Sequence, residues 1–320
     1  TPWHGFEVTG SIGYVPGTTD LSWEAGGGGP TWTTYYAGPA RLDGPARGFW
    51  GWTPEMYHEL ADTWQDVERT TLSFNLDHRP TTWFNHRLAI GRDFTREEDV
   101  EIMYHDERWL DLDSFADRGY KEMWSRATEL TTADYAANFT FDVNPELNSV
   151  TSVGGQLYRR DYRHVYAYGE NFPLPGLSSI EATTQSRVNS ESEIENVTVG
   201  AYVQQQIGWR NRLFLTGALR ADDNSAFGQD FDFVTYPKVS AAWVISEEPF
   251  WSLPAISTLK LRAAYGESGQ QPDAFVAIRT FDPAPGPGGS GTVTPDNLGN
   301  PELGPERGQE LEFGFDAAFF

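Results

Sequence analysis

The sequence predicts an all-β chain: about ten antiparallel strands of a transmembrane β-barrel, an incomplete barrel, with short helices inside long extracellular loops. Three observations point there. Apolar and polar residues alternate with period two over long stretches, the signature of a strand with one greasy and one wet face. The connections between those stretches alternate between short and long. None of the 320 residues lies in an apolar run near the roughly 18 that a spanning helix needs. A barrel strand hides only every second residue in lipid, so 39% apolar content is no obstacle.

The clearest alternation runs from Val197 to Arg220. Val197, Val199, Ala201, Val203, Ile207 and Trp209 share one parity, and Thr198, Gly200, Gln204, Gln206 and Gly208 the other. After Arg210-Asn211-Arg212 it resumes with Leu213, Leu215 and Leu219 against Arg212, Thr216 and Arg220. Directly opposed residues of an antiparallel pair share a face. The simplest register therefore sets Trp209 opposite Leu213 across a three-residue turn, Ile207 opposite Leu215 and Val203 opposite Leu219. A five-residue turn also satisfies the parity.

The other elements follow in chain order. Phe6, Val8, Gly10, Ile12 and Tyr14 mark a first strand. A long loop follows, broken at Gly26 to Gly29, Pro39 and Pro45. Inside it Thr53-Pro54-Glu55 reads as a helix start, with Met56, Tyr57, Leu60, Ala61 and Trp64 on one helical face. Leu72, Phe74 and Leu76, then Phe84, Leu88 and Ile90, form a hairpin with Leu76 facing Phe84 around Arg79-Pro80-Thr81. The stretch from Phe94 to Thr132 is acidic and not period two; Leu110, Leu112, Phe115 and Trp124 give it helical potential. Ala137, Phe139, Phe141 and Val143 form the fourth strand. Leu147, Thr151, Val153 and Leu157 form the fifth, turning at Asn144-Pro145-Glu146 and ending near Tyr168. After the opening hairpin come Val239 to Ile245, then Leu259 to Tyr265, then Leu311 to Ala317, the last preceded by a Gly/Pro-rich loop over Gly266 to Glu306. Short turns on one side and long loops on the other is the arrangement of an outer-membrane barrel.

Val199, Val203, Ile207, Trp209, Leu213, Leu215, Leu219, Val239, Trp243, Leu261, Phe313 and Phe315 are thus expected to face lipid. Lipid offers the backbone no hydrogen bonds, so strand must pair with strand. The opposite parity faces a wet lumen that holds Arg220, Lys260, Arg262, Glu312 and Asp316. Asp222, Asp223 and Asn224, where a strand leaves the membrane, join Arg220, Arg262 and Gln270 as residues expected to face cargo. A turn at Asp222 to Ser225 that satisfies its own backbone is the plainer alternative.

Net charge of −23 argues against nucleic acid as partner. Zero Cys removes thiolate metal sites, thiol nucleophiles and disulfides. No cofactor is expected. The six His form no helical metal pair; on the proposed register His78 faces Thr82 and His86 faces Phe74. Glu97-Glu98, Asp222-Asp223 and Glu247-Glu248 are sequence neighbours in loops and do not show the geometry of a glycosidase pair. No nucleophile elbow or phosphate loop occurs. The chain is not expected to be an enzyme.

The same residues carry a resemblance. AYVQQQIGWRNRLFLTGALRADDNSAFG, YPKVSAAWVISEEPFW, LKLRAAYGESGQQP and NLGNPELGPERGQELEFGFDAAFF resemble TonB-dependent outer-membrane receptors of the SusC/RagA type in order and spacing from about Tyr135 to Phe320. SFNLDHRPTTWFNHRLAIGRDF is similar to a hairpin of the same family. The resemblance implies a bacterial outer-membrane importer of large nutrients such as glycans or peptides, a barrel of about 22 strands around a plug. It implies outer-membrane lipids, the TonB complex and a SusD-like surface lipoprotein as partners. Residues 1–320 would be part of that barrel. The plug, the TonB-contacting segment and the closing strands are absent from the sequence, and Phe320 is read as a cut point. The sheet is then expected to stay open, with bare edges. The competing reading is a soluble, acidic, all-β carbohydrate-binding or glycoside-hydrolysing domain, which would seal the greasy face in a core.

Overall fold

A computed structural model describes residues 5–22, 29–38, 47–49, 53–107, 118–226, 233–270 and 272–319. The order is β1 (Phe6–Leu21), α1 (Gly29–Tyr35), α2 (Pro54–Leu60), β2 (Ala61–His78), β3 (Phe84–Met103), β4 (Tyr120–Asn144), β5 (Leu147–Glu170), β6 (Gln185–Trp209), β7 (Leu213–Asn224), β8 (Val234–Val244), β9 (Ile256–Gln270), β10 (Phe281–Pro285), β11 (Gly291–Pro295) and β12 (Glu306–Phe319). Ten strands make one antiparallel sheet in the order β1-β2-β3-β4-β5-β6-β7-β8-β9-β12, and β10 and β11 form a separate hairpin in the last long loop. No partner joins the outer edges of β1 and β12 among the described residues, so the sheet is open, as expected of a barrel segment.

The central hairpin has the expected register: Trp209 opposes Leu213, Ile207 opposes Leu215 and Val203 opposes Leu219. Arg210 and Asn211 both take positive φ, at 50° and 54°, and the Arg212 amide donates to the Trp209 carbonyl at 2.9 Å. Both central residues are left-handed, which matches the twist of the flanking strands. The β4–β5 turn also keeps its parity, with Phe139 opposite Thr151 and an irregularity at Val143.

The β2–β3 hairpin departs from expectation. Leu76 opposes Leu88 rather than Phe84, and His78 opposes His86 rather than Thr82. The loop is longer than three residues: Arg79 to Trp83 are all outside the strands, and the Phe84 amide donates to Thr81 Oγ1 at 3.1 Å. The slip is an even number of residues, so the greasy parity survives it.

Strands also run further than the alternation suggested. Trp124 belongs to β4, and Ala61 and Trp64 begin β2 instead of extending α2. β6 starts at Gln185 and β9 continues to Gln270. The physical reason is that alternation reports one apolar and one polar face, whereas ladder hydrogen bonds continue where both faces carry polar residues. The α2 start is as read: the Met56 amide donates to Thr53 Oγ1 at 3.3 Å, an N-cap. The expectations at residues 26–28, Pro39, Pro45, Leu110, Leu112, Phe115 and Phe320 lie outside the described residues.

Register carries the apolar parity across the whole sheet. One row reads Leu147, Trp209, Leu213, Trp243, Leu261 and Phe315, each opposite the next. At β3–β4 even numbers meet odd, as in Phe84 opposite Phe139, which is why the greasy parity changes from even to odd there. This face is exposed, not sealed: Leu215 is 50% and Phe313 78% accessible. Deep burial sits instead at the loop end, at Met56, Leu60, Val100, Ile102 and Phe172.

Candidate functional site

The polar face is the concave one. A hollow of about 1000 Å³ is lined by Gln206, Thr216, Ser240, Lys260, Arg262 and Glu312, drawn from five strands between β6 and β12. A second, of about 390 Å³, spans β5 to β9 through Gln156, Tyr158, Arg220, Asp222 and Tyr236. Side chains of non-adjacent strands share a hollow only on the inside of a curved sheet. The apolar face is therefore convex.

On the convex face the greasy stretch has definite ends. Along β6 it runs from Val199, the last row before Val197 meets Arg159, to Trp209, ten steps of roughly 3.3 Å, or about 33 Å of strand. At the short-turn end it finishes in aromatics. Trp83 and Phe141 stack with centroids 5.7 Å apart, Phe84 and Phe139 at 5.0 Å, and Trp243 Nε1 donates to Glu248 at 3.0 Å. At the other end it gives way to ion pairs. Arg92 pairs with Glu129, Arg159 with Asp161 and Glu195, and Arg163 with Glu191. These residues occupy the rows just beyond Ile90, Leu157 and Val199.

On the concave face Arg220 Nε donates to both carboxylate oxygens of Asp222, at 2.9 and 2.7 Å, and its Nη2 donates to Gln156 Oε1 at 2.9 Å. Gln156 in turn donates to Asp134 at 2.7 Å. Asp223 points the other way, opposite Val199 on the convex side, because neighbours in a strand alternate. Asn224 is buried and its amide is spent on Asn196, Thr198 and the Ala226 N–H. Arg262 lies in the larger hollow, 3.8 Å from Asp316. Gln270 is at the exposed tip of β9, opposite Glu306. The six residues expected to face cargo thus do not converge: Arg220 and Asp222 form one pair and Arg262 another. His78 Nδ1 and His86 Nε2 are 2.9 Å apart, and among the described residues no third ligand-type side chain joins them.

A family model described as "TonB dependent receptor-like, beta-barrel" matches residues 7–320. The chain belongs to that family. Among curated relatives, this receptor-barrel chain is 31% identical over 257 residues to "TonB-dependent receptor P39" of Formosa agariphila, covering 78% of this chain and 23% of that protein. It is 34% identical over 77 residues to "TonB-dependent receptor SusC" of Bacteroides thetaiotaomicron, 24% of this chain and 8% of that one. The matched length is thus under a quarter of these relatives. The barrel fold is also that of a structure titled as the RagAB peptide importer in the "closed-closed" state, with a TM-score of 0.83 over 99% of this chain and 37% of that one at 12% identity. A structure of the RagAB peptide transporter gives 0.76 over 84% of this chain and 30% of that one at 13% identity.

Sequence reading followed the greasy parity and so passed over the opposite one on β5. There Tyr158, Arg160, Tyr162, His164, Tyr166 and Tyr168 occupy consecutive concave positions. The signal was present as ring-bearing residues alternating with Arg159, Asp161 and Arg163.

Proposed function

We propose that this chain is the barrel portion of a TonB-dependent outer-membrane transporter that imports large nutrients such as glycans or peptides. The convex residues from Val199 to Phe315 meet outer-membrane lipid, and the concave face lines the lumen. TonB engages a part of the protein outside residues 1–320, and a SusD-like lipoprotein covers the loop side. The concave wall offers side chains for holding cargo.

The observation that carries this reading is the greasy stretch of fixed height. About 33 Å of strand tilted by about 40° stands roughly 25 Å tall, the height of the apolar band in outer-membrane barrels. Aromatics close it on one side, as in an interfacial belt, and on the other the ion-paired rows mark where the apolar band ends. A soluble domain would have to bury Leu215, Val203 and Phe313, which are exposed.

Residues 1–320 contain no Cys, so once any cysteine outside them is replaced by serine, single cysteines placed here report cleanly. In intact cells expressing the full-length receptor, Glu193→Cys should react with a membrane-impermeant maleimide and Val203→Cys should not. The receptor should fractionate with the outer membrane and need detergent. Equal labelling of the two variants, or a receptor recovered without detergent, overturns the proposal.

A further inference from the structure

The six concave positions of β5 from Tyr158 to Tyr168 all carry planar groups. They extend over ten steps, roughly 33 Å. β4 adds Trp124 directly opposite Tyr166, with ring centroids 5.4 Å apart. The Arg160 guanidinium lies 5.4 Å from the Tyr162 ring centre. On β6 the residues opposite Tyr158, His164 and Tyr166 are Thr198, Ser192 and Ser190. These short neighbours leave Tyr158, His164 and Tyr166 uncrowded on that side, Ile194 and Val188 lie opposite Tyr162 and Tyr168, and the four tyrosines are half-buried rather than sealed.

Two of the hydroxyls, those of Tyr166 and Tyr168, are held by carboxylates. Tyr166 donates to Glu122 at 3.0 Å and Tyr168 to Glu170 at 2.7 Å. Burial and the Glu122 contact push the Tyr166 phenol up to about 12, so it stays a donor at physiological pH. The lower end of the track runs under the loop after β9, where Pro272, Asp273 and Ala274 enclose about 480 Å³ with Tyr158, Arg160 and Tyr162.

We propose that this track on β4 and β5 binds an extended, uncharged, polyhydroxylated chain, a neutral oligosaccharide. The proposal rests on the transport reading and deepens it. Ring faces take the apolar C–H faces of sugar rings. The carboxylates and amides beside them accept from sugar hydroxyls. Glu97, Asp99, Glu101, Glu122 and Glu170 outnumber Arg126 and Arg160 on this stretch of wall, so a polyanion is repelled. A peptide that binds by adding a strand finds no free edge, because β5 is paired along its length to β4 and β6.

The test uses the full-length receptor purified in detergent and isothermal titration calorimetry. The probes are cello-, xylo- and laminari-oligosaccharides, oligogalacturonate and alginate oligosaccharides, and a tryptic peptide mixture. At least one neutral oligosaccharide should bind, and the anionic ones at least tenfold more weakly. The triple variant Tyr158→Ala, Tyr162→Ala, Tyr166→Ala should lose at least tenfold in affinity for the neutral probe. Tyr135→Ala, on the convex face, should lose nothing, and heat-modifiable gel mobility should show both variants folded. If the triple variant does not fold, Tyr162→Ala alone should still lose about threefold. Tighter binding of the anionic probes, no binding of any neutral one, binding of peptides alone, or unaltered binding in the track variants overturns the proposal. A receptor that meets the labelling criteria above but fails here leaves the transport reading standing, so the two failures are distinguishable.

Discussion

Asp161 shows how one residue reports its surroundings. It sits on the convex side of β5, two rows beyond Leu157, between Arg159 and Glu195. Hydrogen bonding from Arg159 holds its carboxyl below the usual carboxylate range. A lowered folded-state value means that the pair contributes at neutral pH and that the contribution is lost as pH falls through that value. The groups are largely exposed, so salt weakens the pair as well. Amide protection along β5 near Arg159 and Glu195 should fall on acidification below about pH 4, and less so in Asp161→Asn. Hydrogen exchange of the refolded barrel in detergent checks this, and an identical acid response in the variant refutes it. Asn211 teaches a different lesson at the same scale. A three-residue hairpin turn ordinarily places positive φ on its last residue, here Arg212. The structure puts it on Arg210 and Asn211, and Asn tolerates the left-handed region better than most residues.

At the scale of elements, parity proved the robust signal and turn length the weak one. Trp209 opposite Leu213 could be read because both arms of that hairpin alternate up to the turn. Leu76 opposite Leu88 could not, because parity permits any even slip and Pro80 hides how many residues the turn consumes. The upper halves of β3, β4, β5 and β6 were illegible for another reason. Beyond Leu157 and Val199 both faces carry mostly polar residues, so composition no longer alternates although pairing continues. The β10–β11 hairpin, rich in Gly and Pro, offered no alternation at all. The corrected register has a direct check. In a background without cysteine, His78→Cys with His86→Cys should oxidise to a disulfide, since directly opposed Cα atoms lie about 4.5–5.5 Å apart. Leu76→Cys with Phe84→Cys should not. Cross-linking of the second pair and not the first would restore the shorter turn.

For the whole molecule, the deciding feature is that one face has no core to enter. Ten strands curve so that polar side chains share hollows on the inside, while Val203, Leu215 and Phe313 stand outside. The expected cargo residues were the least legible part, because facing depends on register and curvature together. Asp222 and Asp223 are adjacent in sequence and lie on opposite faces of the sheet. β1 and β12 keep one unpaired edge each among the described residues, and such edges recruit other strands. Residues 5–319 expressed alone should therefore associate in detergent, whereas the full-length receptor should not. Size-exclusion chromatography with light scattering decides it, and a clean monomer of the fragment would contradict the open edges.

The ion-paired rows above Leu157 and Val199 have a further consequence. On the proposed orientation they form a parapet of laddered backbone that rises well clear of the hydrocarbon into the sugar layer outside the cell. The long loops that join these strands then stand on a stiff rim rather than on the surface of the bilayer.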